Sequence, residues 1–137
     1  MNIIIKECAH PDIEEVLALY SSVGWTNYTD KPEMLQSALE NSLSVLGAFE
    51  GEKQVGILRA VGDGHSILYI QDIIVLPEYQ RKGIGKALVE AIDEKFSHVY
   101  QKVLLTDDSP DSIPFYESCG LSLSSKLGCV AFVKFTV

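Results

Sequence analysis

Apolar residues recur along this chain at two spacings, every second position and every third or fourth, and the switches between them mark its elements. Ile3-Ile4-Ile5 reads as a short first strand. His10-Pro11-Asp12 then opens a helix, with proline in the first turn and Asp12, Glu14 and Glu15 at the positive end of the dipole. Its apolar face is Ile13, Val16, Leu17 and Tyr20. A polar loop with Gly24, Trp25, Asn27, Tyr28 and Asp30 follows, and Pro32 starts a second helix bearing Leu35, Ala38 and Leu39. Residues 43–50 and 54–62 are strand-like runs separated by Gly51-Glu52-Lys53, a hairpin signature. Asp63-Gly64 turns the chain into 67–76, the longest β-rich run. Helical spacing returns after Gly83 with Ile84, Leu88, Ala91, Ile92 and Phe96 on one stripe. Residues 102–106 predict a short buried strand, Pro110 begins a helix that Gly120 ends, and 121–127 and 129–136 predict two further strands around Gly128. The order β-α-α-β-β-β-α-β-α-β-β is that of an α/β fold, a mixed central sheet flanked by about four helices.

Composition narrows the class. The 137 residues suit one domain, 1–137, without repeat, linker or low-complexity tract. Hydrophobic residues at 47% and charged residues at 22% exclude a disordered or fibrous chain. Eleven Lys and Arg against nineteen Asp and Glu leave a formal charge of −8, which repels a nucleic-acid backbone and suits a cationic or amine substrate. No run reaches the roughly eighteen apolar residues of a membrane span, and no basic start leads into an apolar stretch as in a signal peptide. Cys8, Cys119 and Cys129 are odd in number and far apart, which suits reduced thiols and builds neither a disulfide framework nor a metal pair. His10, His65 and His98 share no ligand spacing, so no metal is expected. The expectation is a cytoplasmic protein without membrane or nucleic-acid partners.

The chemistry concentrates in Ile73-Ile74-Val75-Leu76-Pro77-Glu78-Tyr79-Gln80-Arg81-Lys82-Gly83-Ile84-Gly85-Lys86. A buried strand runs into a loop, then two glycines stand at the mouth of a helix, where free N–H groups and the dipole attract phosphate. A Walker loop fails here, because Gln80 and Ala87 replace its first glycine and its final Ser or Thr. A dinucleotide fingerprint fares little better: Leu88 replaces the third glycine, and 77–82 separate the strand from the turn. Gln80-x-x-Gly83-x-Gly85, after a strand ending Val75-x-Pro77, resembles the acyl-CoA pyrophosphate loop of the GCN5-related N-acetyltransferase (GNAT) superfamily. Ile113-Pro114-Phe115-Tyr116-Glu117-Ser118-Cys119-Gly120-Leu121 resembles that superfamily's later Phe-Tyr-x-x-x-Gly-Phe element, with Leu121 replacing the last Phe.

The resemblance implies a mostly antiparallel α+β sheet and transfer of the acetyl group of acetyl-CoA to a primary amine by direct attack through a tetrahedral intermediate. It implies that backbone groups of Ile73, Ile74 and Val75 pair with the pantetheine arm, an N–H near Ile73 facing the developing oxyanion. Loop amides from Arg81 through Lys82, Gly83, Ile84 and Gly85 to Lys86 would hold the pyrophosphate, with Gln80 in the motif and the three basic side chains adding charge. Ser109 stands where the family often has an asparagine that bonds the same arm, and equally could cap the helix before Pro110. Tyr116 matches the tyrosine near the departing sulfur. With an ordinary pKa of about 10 against about 8.5 for a thiol, it serves at least as a hydrogen-bond donor to the thiolate.

The base is not assigned. Tyr69 and Gln71 occupy the positions where family members place Glu or His, and strict alternation points Asp72 to the other face. Water, Asp107 and Asp108 stay open as proton acceptors. Trp25, Tyr28, Tyr69 and Gln71 are the candidate acceptor-pocket residues. The missing base also admits a second class of function, a non-catalytic module that senses acyl-CoA. Residues 129–136, rich in β-formers, predict an edge that pairs with a second copy, hence a homodimer.

Overall fold

Strands β1 (Ile3–Glu7), β2 (Ser44–Glu50), β3 (Lys53–Gly62), β4 (Ile67–Val75) and β5 (Gln101–Leu104) form one sheet in that spatial order. They come from a computed structural model that describes residues 1–136. The first four strands are antiparallel neighbours, and β5 runs parallel to β4. The described chain divides into two compact units, Met1–Leu105 and the residues from Thr106 onward.

In the first unit, α1 (Ile13–Ser22) is capped by Asp12, whose side chain accepts from the Glu14 amide at 2.9 Å. Pro11 therefore precedes the cap instead of occupying the first turn. Val16, Leu19 and Tyr20 are the buried face of α1, so Leu19 joins the core while Leu17 is only half-buried. They pack with Tyr28, Leu35, Leu39, Val45, Ile57 and Ile74 in one cluster. The expected polar loop contains a short helix, α2 (Thr26–Thr29), before α3 (Pro32–Glu40). Its four residues lack apolar periodicity, and it is Tyr28, buried against Tyr20, that fixes it in place.

Helix α4 (Ile84–Lys95) buries Ile84, Leu88, Val89 and Ile92, worth about 1.5–3 kcal/mol each. A Cβ added to Gly56 would meet Leu88 Cδ1 at 3.4 Å, so Gly56 faces α4 while its neighbour Ile57 lies in the α1 cluster. Alternation along β3 thus puts α1–α3 on one face of the sheet and α4 on the other. Strand β5 is an edge, with one exposed and three half-buried residues, where burial was expected.

In the second unit, α5 (Ser112–Ser118) starts two residues beyond Pro110. The Asp107 carboxylate accepts from the Ser109 amide at 3.1 Å and from Ser112 Oγ at 2.6 Å, winding 107–112 into a turn before the helix begins. Gly120, at φ 94°, closes the helix, and the Leu121 amide bonds the Tyr116 carbonyl. The two expected tail strands do not form. Ser124–Leu127 is a 3-10 turn, and 129–136 join no ladder among the described residues. Strand propensity is expressed only where a ladder forms, and 129–136 form none with the sheet or with one another among the described residues.

Candidate functional site

Strand β4 keeps β5 as a partner only from Ile67 to Ile70, which pair with Gln101 to Leu104. Beyond that point, 72–75 pair with β3 alone, and no strand among the described residues pairs with their other side. Ile73, Ile74 and Val75 lie on this stretch; Ile74 is in the core, while Ile73 and Val75 are half-buried. Gln80 folds back so that its Nε2 donates to the Val75 carbonyl at 3.0 Å. Between them, Pro77–Tyr79 makes a 3-10 turn whose Tyr79 hydroxyl donates to Glu50 Oε1 at 2.7 Å, tying the loop to β2. The Lys82 ammonium lies 5.7 Å from the centre of the Tyr79 ring.

Arg81 (φ 63°) is the one non-glycine residue with positive φ among the described residues, and Gly83 (φ 83°) follows two positions later as the N-cap of α4. Such alternation of left-handed residues turns successive N–H groups inward as a nest. No side chain caps α4, and a Cβ built on Gly83 would meet nothing within 4 Å. The amides at this helix mouth, Ile84, Gly85 and Lys86, therefore face open space beside Arg81, Lys82 and Lys86, whose side chains are exposed. An uncapped N-terminus with room above its glycine fits a pyrophosphate.

The second cluster lies at the α1–α2 face of the sheet. Arg59 pairs with Asp72 across the ladder, but Ala60 pairs with Ile70, so β4 carries one extra residue, Gln71. The bulge overturns the alternation expected for Asp72. Gln71 and Asp72 both serve the same face: Gln71 Nε2 donates to the Tyr28 hydroxyl at 3.3 Å, and Asp72 Oδ2 accepts from Tyr20 at 2.7 Å and Arg59 Nε at 2.9 Å. Arg59 Nη2 completes the circuit by donating to the Tyr28 hydroxyl at 3.2 Å. Burial alone would lower the Arg59 pKa, but the charge of Asp72 outweighs it and the net shift is upward. Burial first, then Asp72, hold the Tyr20 hydroxyl far above its ordinary value, so it stays a donor. Trp25 stands edge-on to Tyr20 with ring centres 6.0 Å apart. Tyr69 is half-buried, and burial raises its pKa against a hydrogen bond from the Leu105 backbone.

Trp25, Tyr28 and Gln71 are thus brought together, while Arg59, Tyr20, Tyr79 and Glu50 were missed by sequence reasoning. A signal existed for the first: an arginine inside the apolar run Val55-Gly56-Ile57-Leu58-Arg59-Ala60-Val61 demands a buried anion, and Asp72 sits in the neighbouring strand.

Ser109 and Tyr116 belong to the C-terminal unit. Ser109 is exposed and its Oγ lies 2.9 Å from Ser112 Oγ; the N-cap of α5 is Asp111, so Ser109 is not the cap. Tyr116 is half-buried, edge-on to Phe115. Burial raises its pKa, and a hydrogen bond from Thr106 offsets part of the rise. Asp107, held by Ser112 and Ser109, is lowered, which keeps it charged and makes it a weak base. A separate cleft of about 230 Å³, lined by Glu7, Leu39, Glu40, Ser44 and Lys95 among others, shares no residue with either cluster. Among the described residues no group of three His, Cys, Asp or Glu could hold a metal ion, and no helix is long and apolar enough to cross a membrane.

Residues 10–121 match the model of the Acetyltransferase (GNAT) family, and the chain belongs to that family. Acyl transfer is the general chemistry this membership brings. A GNAT-family acetyltransferase from Streptococcus pneumoniae TIGR4 superposes with a TM-score of 0.89 at 40% identity, over 98% of each chain. An uncharacterised ycf52-like N-acetyltransferase from Prochlorococcus marinus is 32% identical over 127 residues, 88% of this chain and 68% of that one. A glucosamine 6-phosphate N-acetyltransferase from Schizosaccharomyces pombe is 47% identical over 55 residues, 39% of this chain and 49% of that protein.

Proposed function

We propose that this protein is a cytoplasmic N-acetyltransferase that uses acetyl-CoA as its co-substrate and a primary amine as acceptor, without a covalent enzyme intermediate. The observation that carries the reading is the edge of β4 at 72–75, unpaired on its second side among the described residues and followed by an uncapped helix headed by Gly83. The edge offers backbone groups to an amide-rich arm, and the helix mouth offers N–H groups and a positive dipole end to a pyrophosphate. Acetyl-CoA supplies the activated thioester. The chain's own residues bind and orient it: the free N–H groups of 72–75 fix the arm and stabilise charge on the carbonyl oxygen, and Arg81, Lys82 and Lys86 screen the phosphates.

Tyr116 keeps its proton, because burial raises its pKa, and donates a hydrogen bond to the sulfur as the C–S bond breaks. This role rests on the motif match. With no base assigned among the side chains, the amine attacks in its neutral form and its proton passes to solvent water. On the acceptor side, Tyr28 Oη already accepts from Arg59 and Gln71, which uses both oxygen lone pairs. Its own proton is left to donate outward, so the preferred amine carries a hydrogen-bond acceptor near its nitrogen, with Trp25 and Tyr69 as apolar walls.

Incubation with acetyl-CoA and a panel of amines, following thiol release, tests the proposal. Thiol release dependent on one amine class supports it. Tight acetyl-CoA binding without release for any amine would turn the reading to a sensor.

A further inference from the structure

The hydroxyl of Tyr28 sits in a cluster whose hydrogen-bond directions are fixed by charge. Tyr28 is 8% exposed, and its oxygen accepts from Arg59 Nη2 at 3.2 Å and from Gln71 Nε2 at 3.3 Å. A phenol oxygen has two lone pairs, so its acceptor capacity is full and only its proton is left to give. The carboxylate of the cluster is engaged elsewhere: Asp72 Oδ2 accepts from Tyr20 at 2.7 Å and from Arg59 Nε at 2.9 Å. Arg59 and Asp72, 8% and 2% exposed in their side chains, cancel each other's charge. The cluster therefore offers one hydrogen-bond donor and no net charge. A buried donor calls for an acceptor. Gln71 is exposed, so this end of the cluster reaches the surface, and it stands two residues before Ile73 on β4, about 7 Å of strand.

We propose that the acceptor is a primary amine with a neutral carbonyl oxygen close to its nitrogen, an α-amino amide, and that Tyr28, held as a donor by Arg59 and Gln71, selects it. The inference rests on the acetyl-transfer reading. The overall charge of −8 draws in cations of every kind, and the cluster discriminates among them. A diamine presents a second ammonium, which only donates and here meets a donor. An amino acid presents a carboxylate, which would be desolvated beside a cluster whose one cation is already matched by Asp72. A plain alkylamine fits without conflict but leaves the Tyr28 proton unpaired. An amide oxygen takes that proton and brings no charge. Arg59 is a positioning residue, acting through Tyr28. The bulge in β4 makes the arrangement possible, because the extra residue lets Gln71 reach Tyr28 while its neighbour Asp72 holds Arg59.

Initial rates of thiol release from acetyl-CoA test it with glycinamide, glycine, propylamine and 1,3-diaminopropane, each rate referred to the concentration of neutral amine. The kcat/KM for glycinamide is expected to exceed that for propylamine by roughly 10-fold, with glycine and the diamine below glycinamide by at least as much. The deciding variant is Gln71→Glu. It keeps the size of an exposed side chain, so circular dichroism should show it folded, but it puts an acceptor where a donor stood. Tyr28 then gives its proton to that carboxylate, and the ratio of glycinamide to propylamine should fall to about 2-fold or less. Tyr28→Phe should remove the preference as well, and in that background Gln71→Glu should change the ratio no further. A purely structural effect would lower both rates together and keep the ratio. Equal rates for glycinamide and propylamine, a ratio unmoved by Gln71→Glu, or release with other amines but not with glycinamide would each overturn the proposal and leave acetyl transfer standing. Silence of every amine in the wider panel would overturn both.

Discussion

Asp72→Ala is the most informative single change, because it leaves Arg59 charged in a site that water does not reach. The Asp72 side chain is 2% exposed and that of Arg59 8%, and their 2.9 Å contact is the one ion pair of Arg59 among the described residues. Removing one partner of a buried pair costs about 3–5 kcal/mol, since the survivor keeps its desolvation penalty and loses its compensation. Tyr20 also loses the acceptor of its 2.7 Å bond. Set against a total stability of about 5–15 kcal/mol for a domain, the loss leaves a marginal fold. With a urea m-value of about 2 kcal/mol/M, the midpoint should fall by roughly 2 M. The control is Tyr20→Phe with Arg59→Met and Asp72→Leu, which removes the charges together. Tyr28 then still accepts from Gln71, and the triple variant should lie within about 2 kcal/mol of the wild type. Urea titration followed by far-ultraviolet circular dichroism reads all three proteins. A midpoint for Asp72→Ala within about 0.3 M of the wild type, or a triple variant weaker than Asp72→Ala, would refute the desolvation argument.

Tyr116→Phe should lower the single-turnover rate by about 10²-fold, the low end for general acid help, with acetyl-CoA affinity unchanged by calorimetry; an unchanged chemical step would make Tyr116 a packing residue. Gly83→Val has space for its side chain but must adopt φ 83°, so it should cost about 1–3 kcal/mol in stability and weaken coenzyme A binding while sparing free pantetheine; equal losses for both ligands would detach Gly83 from the pyrophosphate. Tyr28→Phe should raise the acceptor KM and leave the acetyl-CoA KM alone, as read from initial rates across both substrates. Asp63, which accepts from the amides of His65, Ser66 and Ile67 and from Ser66 Oγ, has a pKa held below its ordinary 3.8. Its contribution is full above that value and is lost as pH falls through the lower folded pKa, so the stability gap between wild type and Asp63→Ala should be wide at pH 7 and close in strong acid, as urea titrations at both pH values would show.

Elements whose burial follows from local pattern were legible in the sequence. The stripe Ile84, Leu88 and Ile92 gave α4, and Gly51 with its flanking runs gave the β2–β3 hairpin, since each answers to neighbours within a few residues. The turn that opens α4 was legible for the same reason: Gly83, at φ 83°, acts through its own backbone. What escaped depends on distant partners. Whether Asp72 shares a face with Gln71 is decided by how β3 counts its residues against β4, and nothing in β4 alone announces the extra one. Tyr28 stands out in the sequence only as an aromatic, but Arg59, 31 residues away, is what orients its hydroxyl. The tail failed in the opposite direction: residues 129–136 have the composition of a strand, but composition cannot supply the edge that makes one.

The stacked aromatics at the α1–α2 corner have an optical consequence. The sequence contains a single tryptophan, Trp25, its ring 6.0 Å from that of Tyr20 and 6.4 Å from that of Tyr28. Its emission therefore comes from one place, beside the proposed acceptor cluster, and the two tyrosines feed it by energy transfer. The loop 77–86 contains no tryptophan and contributes no such signal. An unlabelled protein in a stopped-flow fluorimeter thus reports events at the α1–α2 corner, and a small molecule that docks there can be timed without attaching a dye.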